Sequence, residues 1–141
     1  MLVDANILLY AVDHDSPHHE RARLWIESAL DGDRRVGIPW GSVSAFLRIA
    51  TNPRATRQPL SSTEAWALAD AWLDAPVVWI PQPGQGHRAI LGDLIRRYDL
   101  RANLIADATL AALCVEHGLT IVSADSDFAR FTEIDWFNPV G

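Results

Sequence analysis

At 141 residues, with 49% hydrophobic and 21% charged side chains, the chain has ordinary globular composition and the length for one domain, expected to span 1–141. No apolar run approaches the ~18 residues that a membrane helix needs, and Met1-Leu2-Val3-Asp4-Ala5-Asn6 lacks the basic start of a signal peptide, so the cytoplasm is the expected compartment. A net charge of −6 argues against a protein living by non-specific attraction to nucleic acid phosphates, though an acidic total leaves room for a basic groove.

Residues 1–4 read as a short buried strand running into Asp4. Asp15-Ser16-Pro17 opens a helix over about 17–30, with Ala22, Trp25, Ile26 and Ala29 on one face, and Gly32 closes it. Val36-Gly37-Ile38-Pro39 is a second strand, followed by a helix over about 41–51 that ends at Asn52-Pro53. Ser61 and Glu64 have capping-box spacing at the start of a helix that runs to Asp74. Val77-Val78-Trp79-Ile80, between Pro76 and Pro81, reads as a third buried strand. A helix over about 85–98 follows, and then Asn103 is expected to cap an Ala-rich helix that reaches Glu116 and stops at Gly118. Thr120-Ile121-Val122 is the fourth strand, Asp125 to Phe131 a short helix, and Asp135-Trp136-Phe137 an edge strand. Cys114, the lone cysteine, sits in an apolar run and reads as core filling.

Short strands alternating with helices, and no tight hairpin turns, predict an α/β fold: a central parallel sheet of four to five short strands with helices on both faces. In open sheets of this kind the site lies outside the carboxyl ends of the strands. Asp4 ends the first strand, Asp125 and Asp127 follow the fourth, and Asp107 sits in the first turns of the helix leading into that strand. Each acid alone has a plain structural explanation as a helix cap or a partner of a helix dipole. Together they repel one another, and a hard divalent cation with oxygen ligands, Mg²⁺ or Mn²⁺, is the usual remedy. The chemistry that follows is phosphodiester hydrolysis.

All twelve basic residues are arginine, and that excludes several rivals. Receiver domains and aspartate-nucleophile phosphatases need a lysine, and the phosphatases also want an acid where this chain has Asn6. A phosphate-binding loop needs Gly-Lys, and Pro83-Gly84-Gln85-Gly86-His87 follows no strand in the way a dinucleotide fingerprint must. His14, His18, His19, His87 and His117 lie beside no nucleophile, so a histidine-based route is poorly supported.

With these residues in hand, the whole chain resembles a PIN-domain ribonuclease of the VapC type, the toxin of a VapBC toxin–antitoxin pair. Four stretches carry the likeness: Val3-Asp4-Ala5-Asn6-Ile7-Leu8-Leu9-Tyr10; Phe46-Leu47-Arg48-Ile49-Ala50-Thr51-Asn52-Pro53-Arg54; Leu104-Ile105-Ala106-Asp107-Ala108-Thr109-Leu110; and Val122-Ser123-Ala124-Asp125-Ser126-Asp127-Phe128. The resemblance implies a PIN-like fold, with Asp4, Asp107 and Asp125 as catalytic metal ligands joined by Asp127, and with Asn6 and Ser123 lining the site. It implies Mg²⁺- or Mn²⁺-dependent cleavage of RNA, inhibition of translation and growth, a VapB-type antitoxin as partner, and a homodimer that assembles with it. RNA contacts are expected from local arginines, Arg48, Arg54 and Arg57 on one side and Arg96, Arg97 and Arg101 on the other. Trp25, Trp66, Trp72 and Trp79 read as core packing, whereas Trp40 is the candidate platform for a base. One departure stands out: the family's glutamate in the helix after the second strand aligns with Ala45. A second reading therefore stays open, a PIN-like RNA- or protein-binding module weakened or inactivated by that missing acid.

Overall fold

The computed structural model describes all 141 residues. In chain order they form β1 (Leu2–Val3), α1 (Ala5–Val12), α2 (His19–Asp31), β2 (Val36–Gly37), α3 (Trp40–Ala50), α4 (Ser62–Asp74), β3 (Val78–Trp79), α5 (His87–Tyr98), α6 (Asn103–His117), β4 (Ile121–Val122), a 3₁₀ turn (Ser126–Arg130) and β5 (Trp136–Phe137). The strands build one five-stranded sheet in the order β3-β2-β1-β4-β5, with every pairing parallel. No helix is long and apolar enough to cross a membrane.

Side chains alternate across a strand, so two-residue strands suffice to divide the interior. Leu2 and Ile121 turn to one face, where Leu94, Leu100, Ala108, Leu113 and Phe128 pack under α5, α6 and the 3₁₀ turn. Val3 and Val122 turn to the other, against Ile7, Leu8, Ile26, Val43, Phe46 and Ala65 from α1 to α4. Fully burying each large side chain is worth about 1.5–3 kcal/mol, so the helices, not the short ladders, hold the sheet together. At Gly37 in β2 an added Cβ would come 2.7 Å from Pro81 Cγ, so the strand takes glycine. Cys114 lies buried in α6, and burial pushes its thiol up to about 12, which leaves it inert.

Several sequence expectations shift. The stretch after Asp4 is helix α1, which the sequence reading passed over because its residues are apolar on nearly every side. The second helix begins at His19, after a turn that spans the expected start at Pro17. β3 is a half-buried edge strand rather than a buried one. Asn103 does not cap α6: the N-cap is Ala102, with no side-chain hydrogen bond. The capping box at Ser61 and Glu64 is present in both halves, and Gly118, at φ 66°, ends α6. Between α5 and α6, Asp99 (φ 49°) and Ala102 (φ 52°) both hold left-handed backbone. Asp tolerates that conformation; Ala102, at ψ −125°, lies where a Cβ is strained by about 1–3 kcal/mol.

Candidate metal centre

The strand order runs outward from β1 in one direction through β2 and β3, and in the other through β4 and β5. The switch point therefore lies between the carboxyl ends of β1 and β4, where Asp4 and the Ser123–Asp127 segment begin.

Asp4 is N-cap of α1, its Oδ1 accepting from the Ala5 backbone N–H at 2.7 Å. Its Oδ2 accepts from the Ser123 hydroxyl at 2.7 Å and from Asn6 Nδ2 at 3.3 Å. Ser123 is fully buried, and its Oγ also accepts from Asn6 Nδ2 (3.0 Å) and from the Asp125 N–H (3.0 Å). Asn6 returns the link by accepting the Ala124 N–H at 3.2 Å. The Ser123 hydroxyl, the Asn6 amide and the Ala124 N–H thus lock the Asp4–Asn6 segment to the loop after β4. Two further residues, which the sequence reading missed, brace this lock from outside. The Trp136 indole donates to the Ser123 carbonyl at 2.9 Å, and the buried Ser42 hydroxyl donates to the Val3 carbonyl at 2.6 Å.

Asp125 caps the 3₁₀ turn, accepting the Asp127 N–H at 2.9 Å. Asp107 stands in the second turn of α6, half-buried and without a hydrogen-bonding partner of its own. Oxygens of Asp107, Asp125 and Asp127 all lie within 4.8 Å of one another. Asp4 is not one of that trio; its oxygens accept from Ser123, Asn6 and Ala5, and its charge contributes to raising Asp107. Burial first, then the charges of Asp125, Asp4 and Asp127, raise the Asp107 carboxyl to about 7, with Arg130 opposing. Burial likewise raises Asp4, against the hydrogen bonds from Ser123 and Ala5. Four carboxylates with only Arg130 against them still offer the hard oxygen donors that a Mg²⁺- or Mn²⁺-sized cation requires, so the residues present fit such an ion.

Of the expected RNA contacts, Trp40, Arg48 and Arg54 belong to α3 and the turn that follows it. Trp40 is 50% exposed at the start of α3, just past the carboxyl end of β2. Together with Arg48 it lines a groove of about 600 Å³ between α3 and α4. Arg54 is exposed in the turn beyond α3. Trp66 is 44% exposed and lines the same groove, which corrects its reading as core; Trp25, Trp72 and Trp79 are half-buried. Ala45 is half-buried one turn beyond Ser42, and α3 contains no carboxylate at all.

The family model described as "PIN domain" matches residues 1–134. The chain belongs to the PIN-domain family. Ribonuclease VapC37 of Mycobacterium tuberculosis is 43% identical over 138 residues, 98% of this chain and 96% of that protein, which puts the chain with the VapC proteins. Among solved structures, VapBC2 from Rickettsia felis, bound to a DNA fragment from its promoter, superposes with a TM-score of 0.70 at 14% identity, covering 97% of this chain and 96% of that one. Mycobacterium tuberculosis VapC20, described as a sarcin–ricin loop cleaving toxin, gives 0.67 at 20% identity over 95% and 98%. At such identities these two likenesses speak to the PIN fold, which the five-stranded parallel sheet of this chain shares.

Proposed function

We propose that this PIN-domain protein is a metal-dependent endoribonuclease and the toxin of a VapBC-type pair. The observation that carries the reading is the gathering of Asp107, Asp125 and Asp127, with Asp4 beside them, at the switch point of the sheet. The name of its 43%-identical relative, Ribonuclease VapC37, supports the substrate class.

Asp4, Asp107, Asp125 and Asp127 would hold the ion, Mg²⁺ or Mn²⁺. When bound, it polarises the scissile phosphate and lowers the pKa of a water towards neutrality. Water oxygen adds to phosphorus, one P–O ester bond breaks, and the departing oxygen leaves as a hydroxyl. Ser123 and Asn6 fix the Asp4 carboxylate, so its orientation does not have to be found at the moment of binding. Unpaired bases would lie along the α3–α4 groove by Trp40, with Arg48 and Arg54 towards phosphates. A loop as the site of cleavage is carried over from the description of VapC20 as a sarcin–ricin loop cleaving toxin. Cleavage of such RNA in the cytoplasm would inhibit translation and growth.

The partner is a VapB-type antitoxin, by analogy with the VapBC2 assembly. Its apolar segment would lie along α2 and α3, and an arginine would enter the acidic crevice, where a guanidinium fork suits carboxylates. A homodimer joins with it into a larger complex. One observation favours a second reading: α3 supplies no acid, Ala45 standing at the aligned position, as in a module that binds RNA or protein without cutting. Cleavage of single-stranded RNA with Mn²⁺, compared with EDTA and with Asp4→Asn, decides between them. Metal-dependent cutting lost in the variant supports the ribonuclease. Wild-type protein that binds RNA and leaves it intact supports the module.

A further inference from the structure

The carboxylates have one cation beside them, and neither the metal site nor the RNA groove makes use of it. Phe128, fully buried, pins the 3₁₀ turn to the core. In a 3₁₀ turn residues three apart eclipse, which brings Arg130 over Asp127. There Arg130 Nε donates to the Asp127 carbonyl at 3.1 Å, and Nη2 to Asp127 Oδ1 at 3.3 Å. Nη1 has no hydrogen-bonding partner, and the side chain remains 34% exposed. Asp127 is itself one of the three aspartates whose oxygens gather within 4.8 Å of one another, so the guanidinium stands at the edge of the carboxylate cluster.

Charge balance gives this position a use. Four aspartates around one divalent cation leave the cleft negative, and a phosphodiester brings a further negative charge. Adding water oxygen to phosphorus builds still more charge on the non-bridging oxygens. A preorganised donor at that point is stronger in the transition state than in the ground state, and an arginine edge matches two oxygens of a phosphoryl group. Resting on the ribonuclease reading above, we propose that Arg130 is a catalytic residue whose free Nη1 edge binds the non-bridging oxygens of the scissile phosphodiester. It moves no proton, since a guanidinium stays protonated throughout. Its two bonds to Asp127 hold the fork in place and make the last turn of the Asp125–Arg130 segment part of the active site.

The full-length wild type, Arg130→Gln and Arg130→Lys are compared in four measurements: melting, Mn²⁺ titration, inorganic phosphate titration of the Mg²⁺-loaded protein, and single-turnover cleavage of single-stranded RNA. Arg130→Gln is expected to melt as wild type and to bind Mn²⁺ within about twofold, because an exposed pair to Asp127 contributes at most about 1 kcal/mol. Its phosphate affinity should fall by about tenfold or more, and its cleavage rate by about 10²-fold, the usual loss of one transition-state donor. Arg130→Lys should recover part of both, keeping the charge but not the fork. The proposal is overturned if phosphate affinity is unchanged, or if the cleavage loss follows weakened Mn²⁺ binding and excess Mn²⁺ restores it; Arg130 would then only brace Asp127. A wild type that cuts no RNA defeats the ribonuclease reading, and the phosphate titration then decides the role of Arg130 by itself.

Discussion

Replacing Asp107 by asparagine should make the metal-free protein more stable while destroying its activity. The folded chain holds this carboxyl at about 7 against an ordinary 3.8, so folding favours the protonated acid. Stability from that preference is complete below about pH 4 and is lost as pH rises through about 7, leaving an ionised Asp107 facing three other carboxylates. The ceiling on the loss is ~4 kcal/mol. Asp107 is only half-buried, and solvent screening reduces the effect to about 1–2 kcal/mol. An amide of the same shape avoids the repulsion. Thermal melts in EDTA near pH 8 should then place Asp107→Asn about 3–8 °C above wild type, as a change of that size shifts a domain of this length. Near pH 4.5 the two should converge. Mn²⁺ at a hundredfold its dissociation constant adds about 2.7 kcal/mol to a protein that binds it, so the metal should reverse the order near pH 8. An Asp107→Asn protein that melts below wild type in EDTA near pH 8, or by the same margin at both pH values, would refute the account of Asp107 as an acid held in reserve for a cation.

Other perturbations separate the parts of the site. Asp4→Asn should abolish Mn²⁺-dependent RNA cleavage with the fold intact by circular dichroism, since an amide cannot supply the charge a hard cation needs. Ser123→Ala leaves the Asp125 N–H without its acceptor, takes one of two acceptors from the Asn6 amide and removes a bond that holds the Asp4 pKa down, so it should cost about 1–3 kcal/mol in urea unfolding and move the acid limb of the cleavage–pH profile upward. Ala45→Glu should tighten Mn²⁺ binding in calorimetry; lower stability with unchanged binding would make Ala45 ordinary helix packing. Ala102→Gly should raise the melting temperature, by about 1 kcal/mol of relieved strain net of the glycine's greater freedom when unfolded.

The strands, the capping box at Ser61 and the stop at Gly118 were legible because each rests on local spacing or local backbone preference. Helix α1 was not, since a segment buried on most sides shows neither helical nor strand periodicity. Asn103 misled because an amide near a helix start suggests a cap, while the sharp turn at Ala102 carries the chain into α6 instead. Asp4, Asp107, Asp125 and Asp127 could be named as candidates because strand ends are readable and the sheet is parallel. The Ser42, Trp136 and Arg130 contacts could not. Ser42 reaches across 39 residues to Val3, Trp136 reports the register of an edge strand, and Arg130 is one arginine among twelve until the 3₁₀ turn sets its direction. Trp66 falls in an apolar helical pattern, yet α3 leaves a groove open beside it.

The two halves of the carboxylate cluster are held in different ways. Asp4 and the loop to Asp125 are cross-linked through Ser123 and Asn6, whereas Asp107 arrives on α6, which is held by its buried face, Ala108, Ala111 and Leu113 among it. For a cation held between them, that packed face would set the span of the calliper. Mg²⁺ asks for oxygens at about 2.0–2.1 Å in a strict octahedron, and Ca²⁺ accepts about 2.3–2.6 Å in looser shells. A change of side-chain volume under that face would alter the gap while every ligand keeps its identity. Discrimination by ionic radius can therefore drift, or be engineered, through core packing that never touches the ion.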